Sequence, residues 1–198
     1  MPGLPPPADT ERQTLIEFLR FNQNAFFAVA HGLTDDQARA TPSASALSIG
    51  GLIKHAAGVQ RGWLARVVAA PDFPPPDPRP LEEQMAEYAD EYVMGEHETL
   101  TGLLDALRAV NDDVLAAFAE KDLDTPVPVP HEVPWFPGDV DFWSVRWVAL
   151  HLIEELTRHA GHADIIRETC DGATMYELMA AHEEWPETDF IKRWRPQS

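Results

Sequence analysis

Apolar residues recur every three to four positions along four long stretches, and proline-rich segments separate them. The chain therefore reads as four helices joined by connections that cannot be helical. The first helix is predicted from Thr10 to Gly32, with Leu15, Phe18, Leu19, Phe26 and Val29 on one side. Thr34-Asp-Asp-Gln37 has the form of a capping box and marks a short turn of helix before Pro42. The second helix runs from Ser48, a good N-cap, to Ala70, where Pro71 stops it. Its stripe is Leu52, His55, Val59, Trp63 and Arg66, so His55 falls among core-facing residues. The third spans Glu98 to Lys121 with Leu100, Leu103, Leu104, Leu107, Val114 and Phe118 along its seam. The fourth runs from Ser144 to Asp171-Gly172, where glycine offers a left-handed stop.

The connections differ in kind. Pro71 to Pro80 favours an extended polyproline path, and the acidic segment after it reads as partly helical. Val127 to Gly138 is too apolar for a solvated linker and is expected to fold over something. The tail carries a short apolar helix around Tyr176 to Ala180, then Trp185, Phe190 and Trp194 as surface-docking anchors. No repeat appears at solenoid periods, so the fold class is all-α, a four-helix bundle with long proline-rich crossover loops.

Composition sets limits on this picture. With 198 residues, 44% of them apolar, the chain suits one domain over 1–198, with an extended N-terminal segment over about 1–9 and a C-terminal tail over about 173–198. A net charge of −18 argues against nucleic acid or an anionic membrane as partner. The N-terminus lacks a basic and apolar leader, and no apolar run approaches ~18 residues. One cysteine, Cys170, cannot form an internal disulfide. A cytoplasmic protein is expected.

The candidate chemistry lies in His151-Leu-Ile-Glu-Glu-Leu-Thr-Arg-His-Ala-Gly-His162. At ~100° per residue, Glu155 sits ~40°, His162 ~60° and His151 ~80° from His159 on one side of the helix, with Glu154 toward the edge at ~140°. Imidazole and carboxylate together suit a divalent ion such as zinc, and an i, i+4 pair can donate to one ion without bending a helix. A second helix must supply the rest, and the second helix offers His55 on its buried stripe. His55, Glu155 and His159 make three ligands with positions left open, while His151 or His162 can replace either partner. Glu155, unpaired on a buried face, needs either an ion or a cation such as Arg158 to hold it.

Two segments carry a resemblance: Ser-Ile-Gly-Gly-Leu-Ile-Lys-His55-Ala-Ala-Gly-Val-Gln-Arg-Gly-Trp63 and Ser-Val-Arg-Trp-Val-Ala-Leu-His-Leu-Ile-Glu-Glu155-Leu-Thr-Arg-His159-Ala-Gly-His-Ala-Asp164. Together they resemble the DinB-like superfamily, most closely the branch of actinobacterial mycothiol-dependent S-transferases and maleylpyruvate isomerase. The resemblance covers the chain from the first helix to the end of the fourth. It implies an up-down-down-up bundle with a divalent metal near one end. Many members use three histidines; here Glu155 replaces the first of the His-xxx-His pair, as in the isomerase branch. The ligand set implied is His55, Glu155 and His159, holding zinc first and nickel, iron or manganese as alternatives. The co-substrate implied is a mycothiol-like thiol.

With an open metal position, a bound thiol is a ready nucleophile toward a small electrophile, giving a conjugate or a cis–trans isomer. His151 and His162 are the candidate acid and base, and Arg158 and Trp135 the candidate thiol-binding residues. Cys170, ~16 Å along the axis from His159, is a packed thiol. Trp143 and Trp147 read as packing. Among the remaining histidines, only His131 lies in a loop able to cover the site. The same open site can activate water as a hydrolase. A non-catalytic metal-binding protein is a further class, and a helical interaction protein would expose an apolar patch around Trp185 and Trp194. A homodimer through a helix face is one assembly open to such a bundle.

Overall fold

The computed structural model describes residues 3–131, 133 and 136–196. Its helices are α1 (Glu11–Val29), α2 (Asp35–Arg39), α3 (Ile49–Ala69), α4 (Leu81–Asp90), α5 (Leu100–Glu120), α6 (Val145–Asp171) and α7 (Met175–His182). Two short strands, β1 (Pro126–Pro128) and β2 (Phe142–Ser144), precede α6. The four long helices begin at hydroxyl caps. Thr10, Ser48, Thr99 and Ser144 accept from the backbone N–H of Gln13, Gly51, Gly102 and Trp147. Such a cap contributes about 1 kcal/mol. Ser144→Ala is therefore expected to lower the unfolding free energy in urea by about 1 kcal/mol, with Ser144→Thr close to the parent. At the far end of α6, Gly172 adopts φ 77°, a left-handed stop.

Contacts between helix ends give the directions. The Arg12 guanidinium at the start of α1 donates to the carbonyls of Phe118 and Lys121 at the end of α5, so α1 and α5 run oppositely. Arg146 at the start of α6 pairs with Glu11 (2.7 Å), and Arg167 near its end donates to the Val29 carbonyl (2.6 Å), so α6 is parallel to α1. Lys54 meets Glu98 near the starts of α3 and α5, and Lys121 donates to the Ala70 carbonyl at their ends. The order is up-down-down-up, with α1 and α3 each packed between α5 and α6.

The core fills with Leu19, Phe26, Leu52, Ile53, Leu107, Val114, Leu152 and Leu156. Through it runs a buried amide relay: Gln23 Nε2 donates to Gln60 Oε1 (2.7 Å), and Gln60 Nε2 donates to Asn111 Oδ1 (2.9 Å). This relay explains one departure from the predicted stripe of α1. Phe18 is 45% exposed while Gln23 is buried, because Gln60 accepts from its amide nitrogen inside the bundle. α1 also stops at Val29, earlier than expected, and residues 30–33 turn.

Two connections position the site. The chain after α5 buries Val127 and Val129, and β1 pairs antiparallel with β2 in the register Val127↔Trp143. That ribbon delivers Trp143 and Trp147 to the start of α6. The crossover between α3 and α5 carries α4, then lays residues 91–94 against α3, where a Cβ at Gly51 would overlap the Tyr92 carbonyl. In the tail, Trp185 is buried against Ala28, Met179 and Ala180, and Trp194 packs edge-on to His31 and over the Arg167 guanidinium. Phe190, expected to dock, is 98% exposed. The apolar patch around Trp185 and Trp194 that an interaction protein would present is thus covered by the bundle itself. No described helix is long and apolar enough to cross a membrane.

Candidate metal centre

α3 and α6 pack side by side and antiparallel, and each turns a histidine toward the other. His55 of α3 and His159 of α6 meet edge to face with ring centroids 4.7 Å apart. Glu155 lies one turn before His159, and its Oε2 is 3.2 Å from His159 Nε2. Each of these three side chains offers a ligand atom within 4.8 Å of the others. His55 is buried at 5% exposure, and its Nδ1 has no hydrogen-bond partner; Glu91 Oε2 stands 3.8 Å from it. The hydrogen bond from His159 holds the Glu155 carboxyl below the usual carboxylate range against the cost of burial, helped by the nearby rings of His151 and His55.

The donors fit a divalent ion. Two imidazoles and one carboxylate from two rigid helices match the three-ligand sets of catalytic zinc sites, in which further positions stay open. A second group, His151, Glu154 and Glu155, shares Glu155 but lies wholly on α6. Its Glu154 is more than half exposed and also pairs with Arg158, which leaves it less enclosed.

All three residues of the first group line a cavity of about 1150 Å³ between α3, α6, the segment after α4 and the ribbon. Its walls are aromatic. Trp143 and Trp147 stack at 4.9 Å, His151 stacks on Trp147 at 5.0 Å, and Trp63 meets the edges of both Trp143 and His151. Tyr92 closes the end at His55, stacked on its ring at 4.2 Å with its hydroxyl 3.4 Å from His55 Nε2. Burial, with Tyr88 and Glu155 nearby, pushes the Tyr92 hydroxyl up to about 12.

The sequence-derived candidates divide here. His151 lines the cavity, with Nε2 3.8 Å from Glu155 Oε1. His162 is half-buried about one turn past His159 and does not line it. Arg158 is 79% exposed and pairs with Glu154, so it does not hold Glu155 and does not reach the cavity. Trp135 lies outside the described residues. His131 faces Asp141 at 3.5 Å instead of covering the site. Cys170 is partly buried, and burial raises its thiol pKa, as suits a packed residue.

Sequence reasoning missed Glu91 and Tyr92, which sit on a crossover without helical period. It also treated Trp143 and Trp147 only as packing. The close Trp63 and Trp147 spacing to His55 and His151, eight residues on α3 and four on α6, was the available signal for the tryptophans.

A model of the mycothiol-S-transferase family matches residues 14–172. Among solved structures, the chain is similar to a conserved protein from Enterococcus faecalis, with 17% identity over 84% of this chain and 100% of that one and a TM-score of 0.55. That likeness concerns the fold. No curated protein matches. On the family match, and in keeping with its helical bundle, the chain belongs to the mycothiol-S-transferase family of the DinB-like superfamily.

Proposed function

We propose that the protein is a divalent-metal-dependent thiol S-transferase, in which a mycothiol-like thiol attacks a small electrophile. The observation that carries this reading is the convergence of His55, Glu155 and His159 at one end of an aromatic cavity. These three residues would hold the ion, zinc first, with nickel, iron or manganese able to take the same donors. A bound divalent ion lowers the pKa of a coordinated thiol, making thiolate available at neutral pH.

The other roles belong to the chain itself. His151, held between Trp147 and Trp63 beside Glu155, takes the proton that the thiol releases as it becomes thiolate, before the sulfur–carbon bond forms, and returns it to the product or leaving group afterwards. The tryptophan walls exclude water and offer flat faces to an unsaturated electrophile. At about 1150 Å³ the cavity exceeds the ~300–1,000 Å³ usual for one small ligand, which leaves room for thiol and electrophile together. Membership of the family supports the thiol as nucleophile.

The test is elemental analysis followed by cobalt substitution. One ion per chain is expected, with a new sulfur-to-metal band in the cobalt protein when thiol is added, and conjugate formation with a halogenated nitroarene. Protein purified from metal-supplemented cells with well under one ion per chain sinks the metal centre. A loaded protein whose spectrum ignores thiols sinks the transferase reading and leaves the ion without a thiol role.

A further inference from the structure

α3 is shaped to receive the segment that follows α4. A Cβ at Gly51 would overlap the Tyr92 carbonyl, and a Cβ at Gly58 would overlap the Glu91 carboxylate. The two glycines are about two turns apart on one side of the helix, with His55 between them. Lys54 fastens the same segment, donating to Asp90 (2.6 Å) and to the Val93 carbonyl (3.2 Å). Glu91 and Tyr92 are thereby pressed onto α3 over His55.

The His55 ring receives a group on each side. Tyr92 stacks on it at 4.2 Å with an interplanar angle of 20°, and Glu91 Oε2 lies 3.8 Å from Nδ1. That Nδ1 is buried and has no hydrogen-bond partner. A polar group left buried and unpaired costs about 1–3 kcal/mol. The carboxylate facing it is a side-chain adjustment short of a hydrogen bond.

We propose that Glu91 is a positioning residue of the metal centre, whose carboxylate accepts the Nδ1–H of His55 and so fixes the tautomer that leaves Nε2 for the ion. The inference rests on the metal-centre reading above. A metal-binding histidine commonly gives its other N–H to such a partner, and loss of that partner typically weakens metal binding 10–100-fold. The same role accounts for Gly58. Glycine within a helix costs about 1 kcal/mol relative to alanine, and at this position it leaves room for the Glu91 carboxylate.

The experiment is zinc titration into metal-free protein against a competing chelator, together with the unfolding temperature of each metal-free variant. Glu91→Ala is expected to bind zinc about 10–100-fold more weakly, with the metal-free unfolding temperature unchanged, and Glu91→Gln, whose amide oxygen still accepts the Nδ1–H without the charge, to fall between Glu91→Ala and the parent. Gly58→Ala is expected to weaken binding in the same way by turning the flexible carboxylate aside, at an equal or higher unfolding temperature. Combining Gly58→Ala with Glu91→Ala is expected to be no worse than Glu91→Ala alone, since both remove one contact. Binding by Glu91→Ala within about twofold of the parent overturns the proposal. So does a loss beyond about 10³-fold, which marks a direct ligand instead of a partner of one. If the parent itself binds no ion, the metal-centre reading falls and this role with it; if the parent binds and the Glu91 variants bind equally, only the role of Glu91 falls.

Discussion

Glu155→Ala is expected to abolish stoichiometric metal binding and thiol transfer together. Glu155 stands between the two imidazole sets, with Oε2 3.2 Å from His159 and Oε1 3.8 Å from His151. It is also the only anionic member of the group it forms with His55 and His159. Without it, two neutral rings face a doubly charged ion in a partly dehydrated site, where an uncompensated charge is costly. We expect affinity to fall at least ~10³-fold, or about 4 kcal/mol. Glu155→Gln keeps the shape, loses the charge, and is expected to fail nearly as badly.

The metal-free fold provides a control. A carboxyl with a depressed pKa contributes stability above its unfolded pKa, and that contribution is lost as pH falls through the folded value. Metal-free Glu155→Ala should therefore be slightly less stable than the parent at neutral pH and indistinguishable from it in acid. Metal analysis and chemical denaturation on the same samples separate the two effects. A variant that retains one ion per chain would show that the ion does not depend on this carboxylate.

The second large effect is a stabilisation. Asp164 lies on α6 away from the His55, Glu155 and His159 group, in a small apolar recess with Phe21, Ala28, Met175 and Glu183. Burial, with Glu168 nearby, raises its pKa from 3.8 to about 6. At neutral pH the folded chain holds this carboxylate charged in poor surroundings. A rise of that size amounts to about 3 kcal/mol for a fully enclosed group. Asp164 retains some solvent, so a cost on the order of 2 kcal/mol is expected.

The sign follows from proton binding. The native state holds the proton more tightly than the unfolded chain, so stability falls as pH rises from about 4 to about 6 and stays low above that. Asp164→Asn removes the charge and keeps the shape. Its unfolding midpoint should exceed the parent's at pH 7.5, with the difference shrinking to nothing near pH 4. An unchanged midpoint at pH 7.5 would mean that the carboxylate is better solvated or better paired than its surroundings suggest.

Much of the architecture is legible in the sequence. The ends of α1, α3, α5 and α6 fall within a few residues of their predicted positions, because hydroxyl caps, prolines and Gly172 act on the backbone locally. The His55, Glu155 and His159 group was legible for a related reason. An i, i+4 pair meets on any helix, and a histidine on an apolar stripe turns inward in any bundle.

Other features depended on neighbours distant in sequence. Phe18 and Gln23 share the inner half of α1 in a periodicity plot, yet the glutamine is the buried one, because Gln60 on α3 meets it. His162 shares the stripe of His159 but lies beyond the end of the cavity, and Arg158 turns out to Glu154. A helical wheel gives angle around one axis only; where a cavity begins and ends along that axis is set by what packs against it.

Sequence alone determined the four helices, their caps, the breaks between them and the histidine–glutamate spacing on α6, all of which rest on interactions across at most one or two helical turns. Tertiary structure decided which histidine of α3 meets which residues of α6, the aromatic cavity beside them, and the arrival of Glu91 and Tyr92 over His55 from a crossover 36 residues further along the chain. Those contacts join segments that carry no shared period. They exist because the ribbon, the glycine-faced side of α3 and the Lys54 clamp hold separate pieces of chain at one place.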